Sequence, residues 1–237
     1  MPWTSKTRFD ENFERFATYP KQRKRSVGRQ TIIHRHKHVQ AFWPLDPSLE
    51  NKFTKPKNLT IVTTHTYPEK SIFEQSLDYL GIIPYVVLKK EVGWSHRYKI
   101  DWLLEFLRSD KCETEYLLFC DARDTIVIDD LHKALNTFHE MKCELVFNST
   151  MSRRGILWNM PQLFEWTRTV AKKRGRYLCA GAFIGRAKFI QKVFEAAVTL
   201  FGRFARPEND QDVLRYLHPA FHPEMDLDYA NKIFYRN

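Results

Sequence analysis

The chain has 237 residues, of which 43% are hydrophobic and 14% aromatic, and its formal net charge is +10. This length and apolar content predict one well-buried catalytic domain, with room for at most a small second one. No apolar run approaches the roughly 20 residues of a membrane span, and the N-terminal residues lack the apolar core of a secretory signal. We therefore expect a cytoplasmic protein. Its four cysteines form no Cys-x-x-Cys pair, which favours reduced structural thiols.

The positive charge is concentrated near the N-terminus. Residues 1–57 hold 13 lysines and arginines against 5 acidic residues, a net +8. We predict a basic N-terminal extension over 1–57 and a catalytic domain over 58–237. The extension suits an anionic partner such as nucleic acid, but a solvated tail explains the charge equally well. Its alternating His34, His36 and His38 would share one face of a strand and could recruit a metal, although exposed histidines are the favoured interpretation.

From residue 59 the apolar pattern becomes periodic. The first half of this pattern predicts a strand at 59–64, a helix with Pro68 in its first turn and Gly81 at its end, a strand at 82–88, a helix at 98–107 and a strand at 116–120. The second half predicts a helix at 131–138, a strand at 144–148 and a helix after Pro161. A small-residue segment at 179–185 and helices at 187–204 and 211–217 follow. Strands alternating with helices predict an α/β fold with a mostly parallel central sheet flanked by helices. The uniformly apolar strand at 116–120 is expected at its centre.

Two carboxylates follow this most apolar strand. Asp121 and Asp124 lie where ligands of parallel α/β sheets bind, beyond the carboxyl ends of the strands. Carboxylates three residues apart in a tight turn converge on one hard cation, so we predict that they bind Mn²⁺ or Mg²⁺. The cation would neutralise charge on a departing nucleoside diphosphate. From the spacing alone, an equal alternative is a turn cap at Asp124 beside a lone strand-end carboxylate at Asp121.

Two further segments carry candidate residues. The acidic run at 208–212 exceeds what one helix cap needs, which makes Glu208 and Asp210 candidate catalytic residues; a negatively charged first helical turn is the alternative. Around Gly181, small residues would let a substrate approach the backbone, although a strand packed under a helix explains them as well. Dinucleotide-binding, P-loop, Gly-x-Ser-x-Gly and His-Glu-x-x-His motifs are absent from the sequence.

Taken together, these motifs resemble the glycosyltransferase domain of the procollagen lysyl hydroxylase/glucosyltransferase enzymes, a GT-A family that uses UDP-sugars and Mn²⁺. The similarity lies in ordered short blocks over about residues 58–237: Leu59–Thr66, Trp94 with Tyr98 and Lys99, Leu118–Asp124, Tyr177–Gly185, Asn209–Gln211 and Leu227–Phe234. The resemblance implies a Rossmann-like GT-A fold and a glycosyltransferase activity.

The resemblance also implies roles for individual residues. Asp121 and Asp124 would bind the metal, and Asp210 would face the sugar or the acceptor. The residues expected to bind the nucleotide-sugar are Thr64, Thr66, Trp94, Lys99, Arg123, Gly181 and Gln211.

Three positions depart from the family pattern. Arg123 stands where the family has a tyrosine that stacks on the base, and its planar guanidinium would either stack or grip phosphate. Asn209 replaces one carboxylate of an acidic pair. The sequence ends at Asn237, before the family's histidine that supplies another metal ligand. His218 and His222 are candidate substitutes for that ligand, although packing roles are favoured for both.

The sequence therefore predicts transfer of a sugar from a nucleoside diphosphate, with UDP as the expected nucleotide, to a hydroxyl of a glycan or of a hydroxylated base in DNA. The alternative is a non-catalytic nucleic-acid-binding protein with an α/β fold. It is supported by the basic extension and its aromatic residues Phe13, Phe16, Phe42 and Trp43.

Overall fold

The computed structural model describes residues 30–34, 39, 42–90, 93–152, 155–171, 177–201 and 209–236. The strands are β1 (Ile32–His34), β2 (Leu59–Thr64), β3 (Val86–Leu88), β4 (Tyr116–Cys120), β5 (Thr125–Val127), β6 (Leu145–Thr150), β7 (Tyr177–Arg186), β8 (Met225–Leu227) and β9 (Phe234–Tyr235). The α-helices are α1 (Ile72–Leu80), α2 (His96–Arg108), α3 (Leu131–Glu140), α4 (Ile156–Asn159), α5 (Pro161–Val170), α6 (Ala187–Val198) and α7 (Asp210–Phe221), and a short 3-10 helix spans Pro47–Leu49.

The larger sheet has six strands in the order β3-β2-β4-β7-β6-β8. Parallel pairing joins β3, β2 and β4 and joins β6 to β8, whereas β7 runs antiparallel to both its neighbours. Five of the six strands therefore point the same way, which confirms the prediction of a mostly parallel sheet. Strand β4 is central and all five of its residues are buried, as its continuous apolar run predicted.

Helices cover both faces of this sheet. Alternate residues of β4 point to opposite faces: Leu117 and Phe119 pack in the core shared with α2, α6 and α7, and Leu118 and Cys120 in the core shared with α1 and α3. The period of two along the strand thus builds two hydrophobic cores. Both contribute to holding the carboxyl end of β4 in one place.

A second sheet of three strands, in the order β5-β1-β9, brings together segments that are remote in sequence. Strand β1 pairs antiparallel with β5 and parallel with β9. The Asp228 carboxylate fixes the turn before β9 by accepting the backbone N–H groups of residues 232–234 at 2.7–2.9 Å. Ile32 and Ile33 are fully buried, so this part of the predicted extension belongs to the folded core.

Other described residues before residue 58 also contact the core. Phe42 and Trp43 pack against the cluster that contains Ile32, and Trp43 meets Tyr79 edge-on at 6.4 Å. These two aromatic residues contribute to packing, contrary to their use in the nucleic-acid-binding alternative. The most basic run, residues 21–25, and the aromatic residues Phe13 and Phe16 lie outside the described residues, so the basic extension stays a prediction.

The first predicted helix begins later than expected. Pro68 lies before the helix, and α1 starts at Ile72 because Ser71 and Glu74 form a reciprocal capping box. Gly81 ends the helix in the left-handed conformation, as predicted. Capping by side chains, rather than the position of the proline, sets this boundary.

Two other predicted elements are shorter than expected. The strand predicted at 82–88 is limited to β3, because Ile82 donates its N–H back to Leu77 of α1 and Pro84 has no N–H to pair with β2. Helix α6 ends at Val198, followed by a turn at 199–201, instead of continuing towards residue 204.

Strand β7 carries an irregularity next to the carboxyl end of β4. Phe147 of β6 pairs with Phe183, but the next residue, Asn148, pairs with Cys179. Residues 180–182 therefore leave the ladder with β6, while Ala182 still pairs with Cys120 on β4. Such bulges redirect the backbone near functional sites, and this one directs carbonyl groups towards Asp121 and Lys99.

No helix within the described residues is long and apolar enough to cross a membrane.

Candidate active site

The two predicted metal carboxylates lie together at the carboxyl end of β4. Asp121 follows the strand directly, and its backbone N–H donates to the carbonyl of Gly181 at 2.7 Å. Asp124 completes the turn and precedes β5. Their side chains are 33% and 31% exposed, so both are accessible to a ligand from solvent.

His34 joins these two carboxylates from the N-terminal part of the chain. It ends β1 and pairs with Thr125, the residue that follows Asp124. Its Nε2 lies 3.4 Å from Asp124 Oδ1 and 3.9 Å from Asp121 Oδ2. One ligand atom from each of the three residues lies within 4.8 Å of the others. His34 is 1% exposed, which overturns its interpretation as a surface histidine; His36 and His38 lie outside the described residues.

Gly181 leaves space for this cluster. A Cβ atom at position 181 would collide with the imidazole ring of His34 and would approach Asp121 Oδ2 to 2.6 Å. The absence of a side chain therefore lets His34 and Asp121 approach each other over the bulge of β7. This requirement explains the small residue that sequence reasoning assigned to nucleotide-sugar binding.

Three further polar side chains contact the His34 ring. Its Nδ1 lies 2.8 Å from Asn148 Nδ2 and 4.0 Å from the sulfur of Cys179, and Arg236 Nη1 lies 3.0 Å from Nε2 and donates to the Cys179 sulfur at 2.9 Å. Burial lowers the pKa of His34, but Asp124 and Cys179 outweigh it and raise that pKa to about 9. Burial raises the pKa of Asp124, but His34 and Arg236 outweigh it and lower that pKa to about 2. These interactions favour a positive ring beside a negative carboxylate.

Lys99 connects the carboxylate cluster to Asp210. Its ammonium nitrogen lies 2.8 Å from Asp121 Oδ1 and 2.7 Å from Asp210 Oδ2, and it donates to the carbonyl of Ala180 at 3.3 Å. Burial lowers the pKa of Lys99, but the two carboxylates outweigh it and raise that pKa above its usual value. Lys99 and Asp210 are both 3% exposed. The ammonium group is enclosed and holds two anionic groups at one site.

The candidate nucleotide-sugar residues lie around this edge at different depths. Thr64, at the end of β2, is buried, and Thr66 is half-buried. Trp94 is 43% exposed and Arg123 is exposed. Tyr67, which sequence reasoning missed, is 37% exposed and lies close enough to Arg123 for the guanidinium charge to act on the pKa of its phenol. The rim of the site thus offers exposed aromatic and guanidinium groups.

The loop after β2 is held by a buried network. His65 Nε2 lies 2.8 Å from Glu74 Oε2, and the same carboxylate oxygen accepts from the backbone and hydroxyl of Ser71 at 2.7 Å. Tyr67 donates its backbone N–H to His65 Nδ1 and stacks on the His65 ring at 5.0 Å. The cap of α1 therefore also positions Thr66 and Tyr67.

The residues of the acidic run at the start of α7 have different roles. Asn209 caps the helix by accepting the backbone N–H groups of Gln211 and Asp212, a task that its amide oxygen performs as well as a carboxylate. Asp212 is buried and accepts the N–H of Ile156 at 2.9 Å, which ties α7 to α4. Asp210 alone of these described residues contacts Lys99, and Gln211 is half-buried beside it. Glu208 lies outside the described residues.

Sequence reasoning missed His34 as a neighbour of the carboxylates, together with Asn148, Cys179 and Arg236. The alternation of histidines at 34–38 was a usable signal for His34, because it indicated a strand. The contacts of Arg236 follow from the register of β9 on β1, which no local pattern reveals. His218 and His222 do not complete this cluster, since they lie near the opposite end of α7 from Asp210.

The sequence model of one protein family, described as the PLOD GT domain, matches residues 58–235. No curated protein matches the chain. One matching solved structure is described as the crystal structure of A197 from STIV, with 14% identity and a TM-score of 0.37 over 57% of this chain and 68% of that chain. The family match covers most of the chain and agrees with the strand-end Asp pair and the mostly parallel sheet. The chain belongs to the PLOD glycosyltransferase-domain family and is a GT-A glycosyltransferase.

Proposed function

We propose that this glycosyltransferase moves a sugar from a nucleoside diphosphate, with UDP as the favoured nucleotide, to a hydroxyl acceptor, and that the reaction depends on Mn²⁺ or Mg²⁺. The observation that carries the proposal is the convergence of His34, Asp121 and Asp124 at the carboxyl end of β4. His34 supplies a third ligand atom that the Asp pair lacks.

The donor set fits a divalent cation. Two carboxylates and one imidazole match the ligands that Mn²⁺ accepts, and the three donor atoms lie close enough to close around one ion with small side-chain movements. Gly181 removes the bulk that would separate His34 from Asp121. When bound, the cation supplies Lewis-acid stabilisation of the diphosphate as it leaves.

Asn148 is suited to orient His34 for this role. Its Oδ1 is buried and has no hydrogen-bond partner among the described residues, while its Nδ2 faces His34 Nδ1. Rotation of the amide by half a turn makes Oδ1 the acceptor of the Nδ1 proton. That arrangement leaves the lone pair of Nε2 for the cation, which would replace the contact of Nε2 with Arg236 Nη1 at 3.0 Å. In many metal sites the second imidazole nitrogen likewise donates to an oxygen.

Lys99 and Asp210 extend the site towards the sugar. Because Lys99 bridges the two carboxylates, it keeps Asp121 directed at the cation and gives the buried Asp210 an opposite charge at 2.7 Å. We assign Lys99 a positioning role. Asp210 then serves as the carboxylate that faces the transferred sugar or the acceptor, where an anionic group stabilises an oxocarbenium-like centre.

The rim residues supply contacts for the nucleotide. Trp94 and Tyr67 offer exposed rings for the base, and Arg123 offers a guanidinium for the base or for phosphate. The hydroxyl of Thr64 is buried without a partner among the described residues, which makes it a free donor at the end of β2. The acceptor hydroxyl proposed from the sequence belongs to a glycan or to a hydroxylated base in DNA.

The test is release of UDP from UDP-sugars in the presence of Mn²⁺. The double variant Asp121→Asn/Asp124→Asn should lose about 1,000-fold in rate, because a metal contributes several kcal/mol and each 1.36 kcal/mol is tenfold. The matched control is Asp101→Asn/Asp129→Asn, whose side chains are similarly exposed at 31% and 28% and which should keep the parent rate.

Metal binding is measured separately by Mn²⁺ titration followed by electron paramagnetic resonance. His34→Ala should weaken Mn²⁺ binding, and His132→Ala, an exposed histidine on α3, should not. Turnover of the double variant at the parent rate would refute the metal role. Equal Mn²⁺ affinity of His34→Ala and the parent would remove His34 from the ligand set while leaving the Asp pair in place.

A further inference from the structure

A second group of metal-ligating side chains lies far from Asp121. His218, His222 and Asp226 each offer a ligand atom, and these atoms lie within 4.8 Å of one another. We call these three residues the His218 cluster. It contains two imidazoles and one carboxylate, a donor set that suits borderline divalent metals such as Zn²⁺.

The local sequence produces this cluster. His218 and His222 are four residues apart at the C-terminal end of α7, so they project from the same side of the helix. The chain then turns, and Asp226 follows in β8, which pairs with β6. The spacing of four residues from His218 to His222 and again to Asp226 therefore brings a helix end and a strand together at one point.

Both imidazoles present a nitrogen without a partner. Among the described residues, His218 Nε2 and His222 Nδ1 are buried atoms that make no hydrogen bond. His218 is 2% exposed, so its unpaired nitrogen is enclosed by the protein. A ligand atom held in such a place is already positioned for a cation.

Neighbouring side chains enclose the cluster and hold its rings in place. Trp166 of α5 packs edge-on against both imidazoles, with ring centroids 5.0 Å from His218 and 5.7 Å from His222. Asp226 is 7% exposed, and one of its oxygens accepts the N–H of Leu227 at 2.9 Å. Burial, and after it the nearby Asp226 charge, raises the pKa of the Tyr229 hydroxyl. Leaving buried nitrogens unpaired in such a place is unfavourable, which a bound cation would relieve.

The His218 cluster is separate from the candidate active site. His218 follows Asp210 by eight residues along α7, a rise of about 12 Å at 1.5 Å per residue. The α7 helix therefore has Asp210 at one edge of the sheet and His218 towards the other. A metal in the cluster would not reach the diphosphate, and the inference is independent of the proposed transfer reaction.

We propose that His218, His222 and Asp226 bind one Zn²⁺ ion that ties the C-terminal end of α7 to β8. Three protein ligands leave a fourth tetrahedral position for water. The metal has a structural role, because it joins two elements on which the positions of Asp210 and of β9 depend.

Zinc binding is measured in the Asp121→Asn/Asp124→Asn background, so that ions held by those carboxylates do not contribute. Dialysis against Zn²⁺ followed by elemental analysis should give one zinc per chain. Adding His222→Gln should abolish it, whereas adding His132→Gln, on the exposed side of α3, should not. His222 is chosen because it is only half-buried, and the near-ultraviolet circular dichroism of each variant reports its fold.

Cobalt(II) provides a second measurement that needs no histidine substitution. In the same Asp121→Asn/Asp124→Asn background, Co²⁺ should give the intense visible bands of a tetrahedral site, and one equivalent of Zn²⁺ should remove them. The melting temperature should rise with Zn²⁺ and not with Mg²⁺. Absence of bound zinc and of the cobalt bands, or retention of zinc after His222→Gln, would overturn the proposal.

Discussion

The buried polar group at the N-terminal end of helix α7 is paired with an opposite charge, whereas those at its C-terminal end lack a hydrogen-bond partner. At the N-terminal end, Asp210 lies 2.7 Å from Lys99, which also contacts Asp121 at 2.8 Å. At the C-terminal end, His218 and His222 each keep a buried nitrogen that has no hydrogen-bond partner among the described residues. Both ends are packed into the same hydrophobic core through Val213, Leu214 and Leu217.

The candidate active site at Asp210 is therefore organised by its own side chains, whereas the His218 cluster needs a cation to pair its nitrogens. Burying a charge is costly unless it is paired, so the Lys99 pairs allow the active-site end to be stable without any ligand. An unpaired imidazole nitrogen at the other end costs less free energy than an unpaired buried charge, and a bound cation would make its position favourable. The three predictions below test this contrast, from the largest expected effect to the smallest.

The largest effect is expected from removing the bridging cation. Lys99→Met leaves the buried Asp210 with the exposed His96, 3.7 Å away, as its remaining basic neighbour among the described residues. The free energy of unfolding should fall by about 3 kcal/mol, because the buried carboxylate loses its nearest cation. Urea unfolding followed by tryptophan fluorescence measures the change, and Mn²⁺ should restore part of it by compensating Asp121. Lys133→Met is the control, since Lys133 forms an exposed pair with Asp129 and should change stability by about 0.5 kcal/mol at most. A similar small change in Lys99→Met would mean that the active-site end does not depend on its ion pairs.

A smaller effect is expected from the residue that orients His34. Asn148→Ala should weaken Mn²⁺ binding by about 10- to 100-fold, because residues that hold a ligating histidine have effects of this size. Isothermal titration calorimetry with Mn²⁺ measures the affinity. Asn58→Ala, an exposed asparagine that bonds to Glu115 at the opposite edge of the sheet, should bind Mn²⁺ like the parent. Unchanged affinity in Asn148→Ala would place the His34 ring under the control of Arg236 and Cys179 instead.

The smallest effect is expected where the active-site edge is held by a helix cap. Ser71→Ala removes the capping hydroxyl of α1 and should lower the free energy of unfolding by about 1 kcal/mol. The measurement is again urea unfolding. Ser48→Ala, on the exposed 3-10 helix, is the control and should be nearly neutral. A loss in Ser71→Ala as large as that in Lys99→Met would show that the His65 and Glu74 network carries as much stability as the buried ion pairs.

Local patterns predicted most of the larger sheet. The run Leu59–Thr64 and the run Tyr116–Cys120 became strands with the predicted bounds, because continuous apolar β-branched and aromatic residues are typical of strands buried on both faces. Helix α3 followed from Leu131, Ala134 and Phe138 at helical spacing. Boundaries were less predictable: α1 begins at its capping box, and β3 begins only after Pro84.

The candidate site was predictable only where its residues follow one strand. Asp121 and Asp124 were found because a strand end and a tight turn place both at the same edge. Lys99 was assigned to the donor site by resemblance, but its bridge to Asp210 depends on the packing of α2 and α7 against the bulge of β7. The division of the acidic run among Asn209, Asp210 and Asp212 likewise required the contacts of each side chain.

The sequence by itself determined the alternation of strands and helices, the carboxylate pair and, through its ordered blocks, the glycosyltransferase family. Only the tertiary structure brought His34 to Asp124 and Asp226 to His218. The first contact joins residues 90 positions apart through the register of β1 on β5, and the second joins residues eight positions apart because β8 pairs with β6 beside the end of α7. A local pattern specifies which face of its strand or helix a side chain occupies. The packing of the sheets and helices around the two cores decides which residue that side chain contacts.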